Sequence, residues 1–92
     1  MDILQSDDGK KGKFYVEIAE ETLAEMSYVY AGEKTIIIDH TDVNIKLKGM
    51  GVGKKLVEKA VEFVRHNGIK VIPLCPFAKS VFDKVKEYQD VL

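Results

Sequence analysis

The segment that decides the fold is Lys48–Gly68, which reads KGMGVGKKLVEKAVEFVRHNG. It begins with three glycines at alternate positions, Gly49, Gly51 and Gly53, directly before a run with helical periodicity. Glycines let the backbone turn sharply and approach a ligand closely. A helix start also exposes unpaired N–H groups at the positive end of the helix dipole. The pattern therefore predicts a phosphate-holding loop, although a tight strand-to-helix connection would also account for the glycines.

The helix after this loop has one apolar face and one charged face. Its apolar residues recur at helical spacing and are Val52, Leu56, Val57, Ala60, Val61 and Val64. Lys55, Glu58, Lys59, Glu62 and Arg65 lie on the other side, which is typical of an amphipathic helix that packs on a core. The Asn67-Gly68 pair predicts the end of the helix through a left-handed cap.

Short β-branched and aromatic runs on both sides of the helix predict strands. These are Lys13–Ile18, Thr22–Tyr30, Thr35–Asp39 and Lys70–Leu74, with a shorter strand at Ile3–Gln5. His40–Ile45 can continue the third of these or form a separate strand. Proline lacks a backbone N–H, so Pro73 indicates either that its strand lies at a sheet edge or that Pro73 lies at the end of the strand. A final apolar stripe, Ala78, Val81, Phe82 and Val85, predicts a second helix that starts after Pro76 and ends near Tyr88.

The order of these elements predicts the fold class. Antiparallel strands come first, followed by strand, glycine loop, helix, strand and helix, and a helix between two strands is typical of a parallel βαβ unit. We therefore predict an α+β fold with a mainly antiparallel sheet, one βαβ crossover and a C-terminal helix. A chain of 92 residues is expected to form a single domain, residues 1–92.

Composition limits the classes of partner. The formal net charge is −1, so the overall balance gives no reason to expect nucleic acid or an anionic membrane as a partner. No apolar run suggests a membrane segment or an export signal. The single cysteine, Cys75, excludes an intramolecular disulfide and suits a reducing compartment. We expect a cytoplasmic protein, with the nucleus left open, and the oligomeric state is not decided.

Two familiar nucleotide-binding loops do not match the glycine pattern. A Walker-type P-loop would need glycine at Lys48 and a hydroxyl residue at Lys55. A dinucleotide fingerprint would need its third glycine one residue later and an acidic residue near Lys70. Neither a P-loop nor a dinucleotide fold is therefore predicted.

The segment Lys48–Gly53, KGMGVG, resembles the acyl-CoA loop of the GCN5-related N-acetyltransferase (GNAT) superfamily, Arg/Gln-x-x-Gly-x-Gly/Ala. The surrounding strand, loop, helix, strand, helix order is similar as well. Two further stretches, His40–Val43 (HTDV) and Val71–Lys79 (VIPLCPFAK), resemble the small "minimal" branch, also called the YjdJ type. The likeness covers nearly the whole chain and is weakest before Phe14. Lys48 departs from the family pattern, because lysine lacks the planar fork of arginine.

This resemblance implies a truncated GNAT fold that binds acetyl-CoA or coenzyme A. The pyrophosphate is expected at the glycine loop, and the pantetheine arm is expected to pair with main-chain groups as an added strand would. The implied cofactor-binding residues are Val43, Ile45, Lys48, Gly49, Met50, Gly51, Val52, Gly53, Lys54, Phe77 and Lys79. Lys84 is a further candidate for the adenosine phosphates, weighed against a solvated helix face.

The resemblance also places the chemistry. Larger relatives carry a tyrosine that protonates the departing CoA thiolate, and Phe82 stands at that position here. Cys75 is one catalytic candidate, because a thiolate accepts acyl groups and a thiol donates a proton; the alternative is a small buried hydrophobe. His40 is the other, as an acid or base near neutral pH, against a structural role, and Asp42 would orient it or cap a turn. No metal site is predicted.

The implied function is transfer of an acetyl group from acetyl-CoA to an unidentified amine, such as a protein lysine or a polyamine. The amine attacks the thioester directly, or Cys75 first takes the acetyl group. The alternative is a non-catalytic sensor or adaptor module that binds CoA, which the Phe82 position favours. A third hypothesis is an α+β interaction domain without a ligand.

Overall fold

The computed structural model describes residues 2–92. Five strands form one sheet in chain order: β1 Leu4–Asp7, β2 Lys11–Ile18, β3 Glu21–Tyr30, β4 Thr35–Val43 and β5 Lys70–Pro73. The pairs are antiparallel except that β4 and β5 are parallel, and the crossover between them is α1, Val52–Asn67. A second helix, α2, spans Pro76–Lys84. The predicted α+β fold with one βαβ crossover is confirmed.

The core lies between one face of the sheet and the two helices. All six apolar residues of the predicted α1 stripe are buried, and Gly68 ends the helix with a left-handed φ of 65°. From the sheet, Phe14, Met26 and Tyr28 face these helices and are also buried. The opposite face carries residues such as Lys13 and Ser27 that are only partly buried. No described helix combines the length and apolar character needed to cross a bilayer.

The sequence left open whether His40–Ile45 continues β4, and the structure shows that β4 runs on to Val43 with a bulge at Asp39. His40 pairs with Ser27, but Tyr28 pairs with Ile38, so that Asp39 is an extra residue in β4. The strand nevertheless continues to Val43. An inserted residue shifts the alternation of side chains, so the residues after it face the other way from where simple alternation puts them.

Two predicted boundaries need correction. Helix α2 ends at Lys84 and not near Tyr88, because Val85 is extended (φ −102°, ψ 95°). The chain then forms a 3-10 helix at Lys86–Val91, whose Asp90 carboxylate accepts a hydrogen bond from the Arg65 guanidinium at 3.1 Å. The first strand is Leu4–Asp7 rather than Ile3–Gln5.

Candidate active site

A cleft of about 570 Å³ lies between the end of β4, the glycine loop and α2. It lies where β4 and β5 stop pairing, at Ile38 and Pro73. Beyond this point the chain turns into α2, while β4 continues to Val43 and is paired only with β3. The residues that line the cleft are Thr41, Val43, Leu47, Lys48, Gly49, Gly51, Val52, Gly53, Lys54, Phe77, Ser80, Val81, Lys84 and Val85. Most of the predicted cofactor residues are therefore brought to one place.

The glycine loop leaves the start of α1 open. Gly49 and Gly51 have φ values of +82° and +68°, a backbone region that L side chains avoid. Helix α1 has no side-chain cap and no acidic residue in its first turn. Its first helical hydrogen bond runs from the Lys55 N–H to the Gly51 carbonyl at 3.2 Å, so the preceding N–H groups have no acceptor within the helix. These donors remain available to an anion.

Gly53 has a packing role that differs from that of the other two loop glycines. A Cβ atom on Gly53 would overlap the ring of Phe77, so only glycine lets the start of α2 approach the start of α1 this closely. The Phe77 ring is still 42% exposed and forms part of the cleft wall. The third glycine therefore brings α2 to the open amides.

The charges in the cleft have one sign. Lys48, Lys54 and Lys84 line it, and no carboxylate does so among residues 2–92, although the chain as a whole carries a net charge of −1. The floor is apolar and consists mainly of Val43, Leu47, Val52, Val81 and Val85. A molecule with an anionic end and a slender, weakly polar arm matches this distribution.

The unpaired edge of β4 offers main-chain groups to the same cleft. The N–H of Asn44 donates to the Leu23 carbonyl of β3 at 2.7 Å. Successive peptide groups along a strand point to opposite edges, so the N–H and C=O of Val43 point away from β3. An extended arm can pair with them as an added strand does.

Cys75, a predicted catalytic candidate, lies immediately before α2; it is not among the residues that line the cleft, but it contacts one of them, Thr41. It is 6% exposed, and its Sγ lies 3.2 Å from the Oγ1 of Thr41, a cleft residue. Burial raises the pKa of the Cys75 thiol, but the Thr41 hydroxyl and the nearby N–H groups of Ala78, Phe77 and Thr41 outweigh burial. The net pKa lies below that of an ordinary cysteine, which increases the fraction of thiolate.

Three predicted cofactor residues do not line the cleft. The Ile45 side chain is 80% exposed, and its carbonyl accepts from the Lys48 N–H at 3.0 Å in the 3-10 helix Ile45–Leu47. It is therefore not part of an extended edge. The Met50 side chain is 52% exposed, and its N–H already donates to Leu47 at 3.2 Å. Lys79 points away from the cleft and pairs with Asp83 at 3.5 Å.

His40 and Cys75 are both predicted to lie near the thioester, but the structure places them on different faces of the sheet. Because residues opposite each other on neighbouring strands share a face, His40 lies on the side of Ser27, the open face of the sheet. Thr41 lies on the side of Met26, which is fully buried under the helices. The bulge at Asp39 is the physical reason for this difference. His40 is exposed.

Several cleft residues were not predicted from the sequence. They are Thr41, Leu47, Ser80, Val81 and Val85, and Lys84 was weighed as a solvated residue. Those in α2 follow Phe77 at helical spacing, and this pattern alone could have identified them. Thr41 carries no such signal, because its direction depends on the bulge.

Comparison with known proteins supports what the geometry suggests. Residues 13–91 match the model of a family described as GCN5-related N-acetyl-transferase. The chain belongs to this family. The GNAT family consists of acyl-group transferases, and the described fold, with its glycine loop between β4 and α1, is a compact form of it. The YjdJ-type branch remains a prediction from the sequence.

Individual relatives agree with this membership. A GCN5-like protein from Staphylococcus aureus, known from a solution structure, is 42% identical, with a TM-score of 0.77 over 98% of this chain and 85% of that chain. Protein NATD1 of Xenopus tropicalis is 32% identical over 69 residues, which are 74% of this chain and 63% of that protein. The ribosomal-protein-alanine N-acetyltransferase of Brucella melitensis biovar Abortus 2308 has a TM-score of 0.67 at 10% identity, over 85% of this chain and 62% of that chain, a likeness of fold alone.

Proposed function

We propose that this GNAT chain is an N-acetyltransferase that binds acetyl-CoA in the cleft and transfers the acetyl group to an amine. One observation carries the proposal. The cleft combines the uncapped start of α1 with three lysines, an apolar floor and an unpaired strand edge. No carboxylate lines it among residues 2–92. The open N–H groups and Lys54 would hold the pyrophosphate, and Val43 would pair with the pantetheine arm.

The reaction needs a C–N bond to form and the C–S bond of the thioester to break. In the direct route the amine nitrogen attacks the carbonyl carbon and loses a proton, and the CoA thiolate leaves. Phe82, buried with 1% exposure, has no hydroxyl to protonate that thiolate. In the covalent route the Cys75 thiolate first displaces CoA, and the amine then attacks the thioester on Cys75. The lowered pKa of Cys75 favours the covalent route.

The cofactor part of the proposal is tested by calorimetric titration with acetyl-CoA. Lys54→Gln is compared with Lys55→Gln, a neighbouring exposed lysine that does not line the cleft. We expect the first variant to bind roughly three- to tenfold more weakly, as loss of one phosphate contact implies, and the second to bind like the wild type. Equal affinities for both variants would contradict placement of the pyrophosphate at this loop.

The transfer part is tested by mass spectrometry of a panel of amines, including lysine peptides and polyamines, after incubation with acetyl-CoA. Acetylated amine supports a transferase. Acetyl-CoA binding without transfer to any amine would reject the transferase and leave a CoA-binding sensor or adaptor module. Absence of both binding and thermal stabilisation would reject acetyl-CoA as the ligand and favour an interaction domain.

The covalent route has its own readout. Intact-mass analysis of the wild type with acetyl-CoA and no amine should show one added acetyl group, and Cys75→Ser should show none. Full activity of Cys75→Ser, together with an unmodified wild type, would establish direct attack by the amine instead.

A further inference from the structure

We propose that Thr41, which lines the cleft, is a positioning residue that holds the Cys75 sulfur next to the cleft and donates its hydroxyl to that sulfur once the thiol has lost its proton. The inference deepens the proposed function and rests on it for its catalytic consequence. Its structural part, the pairing of Thr41 with Cys75, rests on geometry alone.

The bulge at Asp39 gives Thr41 its direction. Ile38 lies opposite Tyr28, and Thr41 lies opposite Met26. Tyr28 and Met26 are both fully buried under the helices, so the face that Ile38 occupies before the bulge is occupied by Thr41 after it. If the same sequence paired regularly, without the bulge, His40 would take this place. The inserted Asp39 therefore puts a small hydroxyl, rather than an imidazole, beside the cysteine.

The backbone on the other side fixes the cysteine. The N–H groups of Leu74 and Cys75 both donate to the Ile38 carbonyl at 3.0 Å, which ties the segment before α2 to β4. Lys79 N–H donates to the Cys75 carbonyl at 2.9 Å as α2 begins. Both ends of the Thr41–Cys75 contact are thus anchored on the same strand, and the 3.2 Å separation of Oγ1 and Sγ follows from that anchoring.

A hydroxyl is suited to this position because it both accepts and donates. The thiol donates to Thr41 Oγ1 when it is neutral, and the Thr41 O–H can rotate to donate to the sulfur when it is a thiolate. A hydrogen bond made to the charged form favours that form. Thr41 thereby keeps the sulfur in place through both protonation states and stabilises the anion in a site where burial alone would oppose it.

Charged side chains of the surrounding elements do not take this role. On β4, Asp39, His40 and Asp42 are exposed, and on α2 Lys79 pairs with Asp83. On β5, Lys70 donates to the Asp90 carbonyl at 2.7 Å. The remaining acidic, basic and histidine side chains of the elements packed nearby are Glu21 and Glu25 of β3, Lys54, Lys55, Glu58, Lys59, Glu62, Arg65 and His66 of α1, and Lys84 of α2. Of these, Lys54 and Lys84 line the cleft. The main influences on the thiol are burial, the Thr41 hydroxyl and backbone N–H groups.

The test is a pH titration of the thiolate by its ultraviolet absorbance, with Cys75→Ser as the blank, supported by the rate of alkylation by iodoacetamide. Cys75 is the only cysteine, so both signals are unambiguous. The variants are Thr41→Val, which keeps the shape and removes the hydroxyl, and Thr41→Ser, which restores it. Thr35→Val, at the start of the same strand, is the control for a threonine-to-valine change in β4.

We expect Thr41→Val to titrate at higher pH than the wild type and to be alkylated about threefold or more slowly near neutral pH. Thr41→Ser and Thr35→Val should titrate like the wild type. An unchanged titration in Thr41→Val would overturn the inference, and so would failure of Thr41→Ser to restore it in a folded variant. A far-ultraviolet circular dichroism spectrum establishes folding for each variant.

The test also separates this inference from the proposed function. If Thr41→Val shifts the titration but the wild type transfers no acetyl group, the positioning role stands and the transferase proposal fails. If the wild type transfers acetyl groups and Thr41→Val leaves both titration and turnover unchanged, the transferase stands and the positioning role fails.

Discussion

On the helix-covered face of the sheet, polar groups are paired differently on the side toward β1, the closed side, and on the side toward β4 and β5, the open side. Toward β1, polar groups satisfy one another: the Tyr28 and Tyr30 hydroxyls donate to the Asp7 carboxylate at 2.5 and 2.7 Å, and Gln5 donates to Tyr28 at 2.9 Å. Toward β4 and β5, the first N–H groups of α1 have no helical acceptor and no side-chain cap. The side toward β1 is therefore held by hydrogen bonds among its own polar groups, whereas the side toward β4 and β5 keeps N–H donors that have no acceptor within the helix.

Each side also contains a glycine against which an aromatic side chain packs so closely that no Cβ atom would fit. A Cβ on Gly12 would overlap the Tyr28 hydroxyl, and a Cβ on Gly53 would overlap the Phe77 ring. Tyr28 is fully buried, whereas Phe77 is 42% exposed. The same substitution at the two glycines should therefore have different consequences, on stability at one and on ligand binding at the other.

The largest expected effect is that of Gly12→Ala. The added methyl group would meet both the Tyr28 hydroxyl and the Ser6 carbonyl, and neither can move away, because the ring is in the core and the carbonyl is in β1. We expect the free energy of unfolding to fall by about 3 kcal/mol, the upper range for overpacking, as measured by urea denaturation. Acetyl-CoA affinity of the folded protein should be unchanged, and a large loss of affinity would contradict the division between the two sides.

Gly53→Ala is the matched change on the open side. The exposed Phe77 ring can swing outward, so the loss in free energy of unfolding should be only about 1 kcal/mol. The ring then leaves the cleft wall and the methyl group stands among the open N–H groups, so acetyl-CoA affinity should fall about tenfold, or 1.4 kcal/mol. Calorimetric titration measures the affinity. A variant that loses stability as Gly12→Ala does, with normal affinity, would show that Gly53 serves packing alone.

The sequence predicted the regular elements of the fold better than the arrangement of the cleft. The apolar stripe of α1 and its Gly68 cap depend on local periodicity and cap chemistry, and both are found where they were expected. The parallel pairing of β4 and β5 followed from the order of elements. These features are repeated over many residues, so single exceptions do not change them.

The arrangement of the site depends on single residues that periodicity does not reveal. One inserted residue, Asp39, exchanges the faces expected for His40 and Thr41. One extended residue, Val85, ends α2 early and brings its own side chain to the cleft. The approach of Phe77 to Gly53 joins two elements distant in sequence. Such features come from tertiary packing, so the sequence identified the loop but not the full lining of the cleft.

A smaller effect is expected from Tyr28→Phe on the closed side. The variant keeps the ring packed against Phe14 and Phe63 and loses only the hydroxyl contacts to Asp7 and Gln5. Asp7 keeps its bond from Tyr30 and is accessible to water, so the free energy of unfolding should fall by about 1 kcal/mol. Urea denaturation measures it. A loss as large as that of Gly12→Ala would mean that the network, rather than the packing of the ring, secures this side.

The smallest expected effect is the pH dependence that Asp7 contributes. Burial raises the pKa of the Asp7 carboxyl, but hydrogen bonds from Tyr28, Tyr30 and the Gly9 N–H outweigh burial and place it below the ordinary value of 3.8. Burial and the hydrogen bond to Asp7 raise the pKa of Tyr30 to about 12, so that tyrosine remains a donor throughout the acid range.

A carboxyl whose pKa is lower in the folded state stabilises the fold above its unfolded pKa and loses that contribution as the pH falls through the folded pKa. The stability difference between the wild type and Asp7→Asn should therefore be constant near neutral pH, begin to shrink as the pH approaches 3.8, and level off at lower pH, where the carboxyl is protonated in both states. Thermal melts over this range measure the difference. A difference that does not depend on pH would mean that the Tyr28 and Tyr30 hydroxyls bind the asparagine amide as well as the carboxylate, and the closed side would then be secured by geometry rather than by charge.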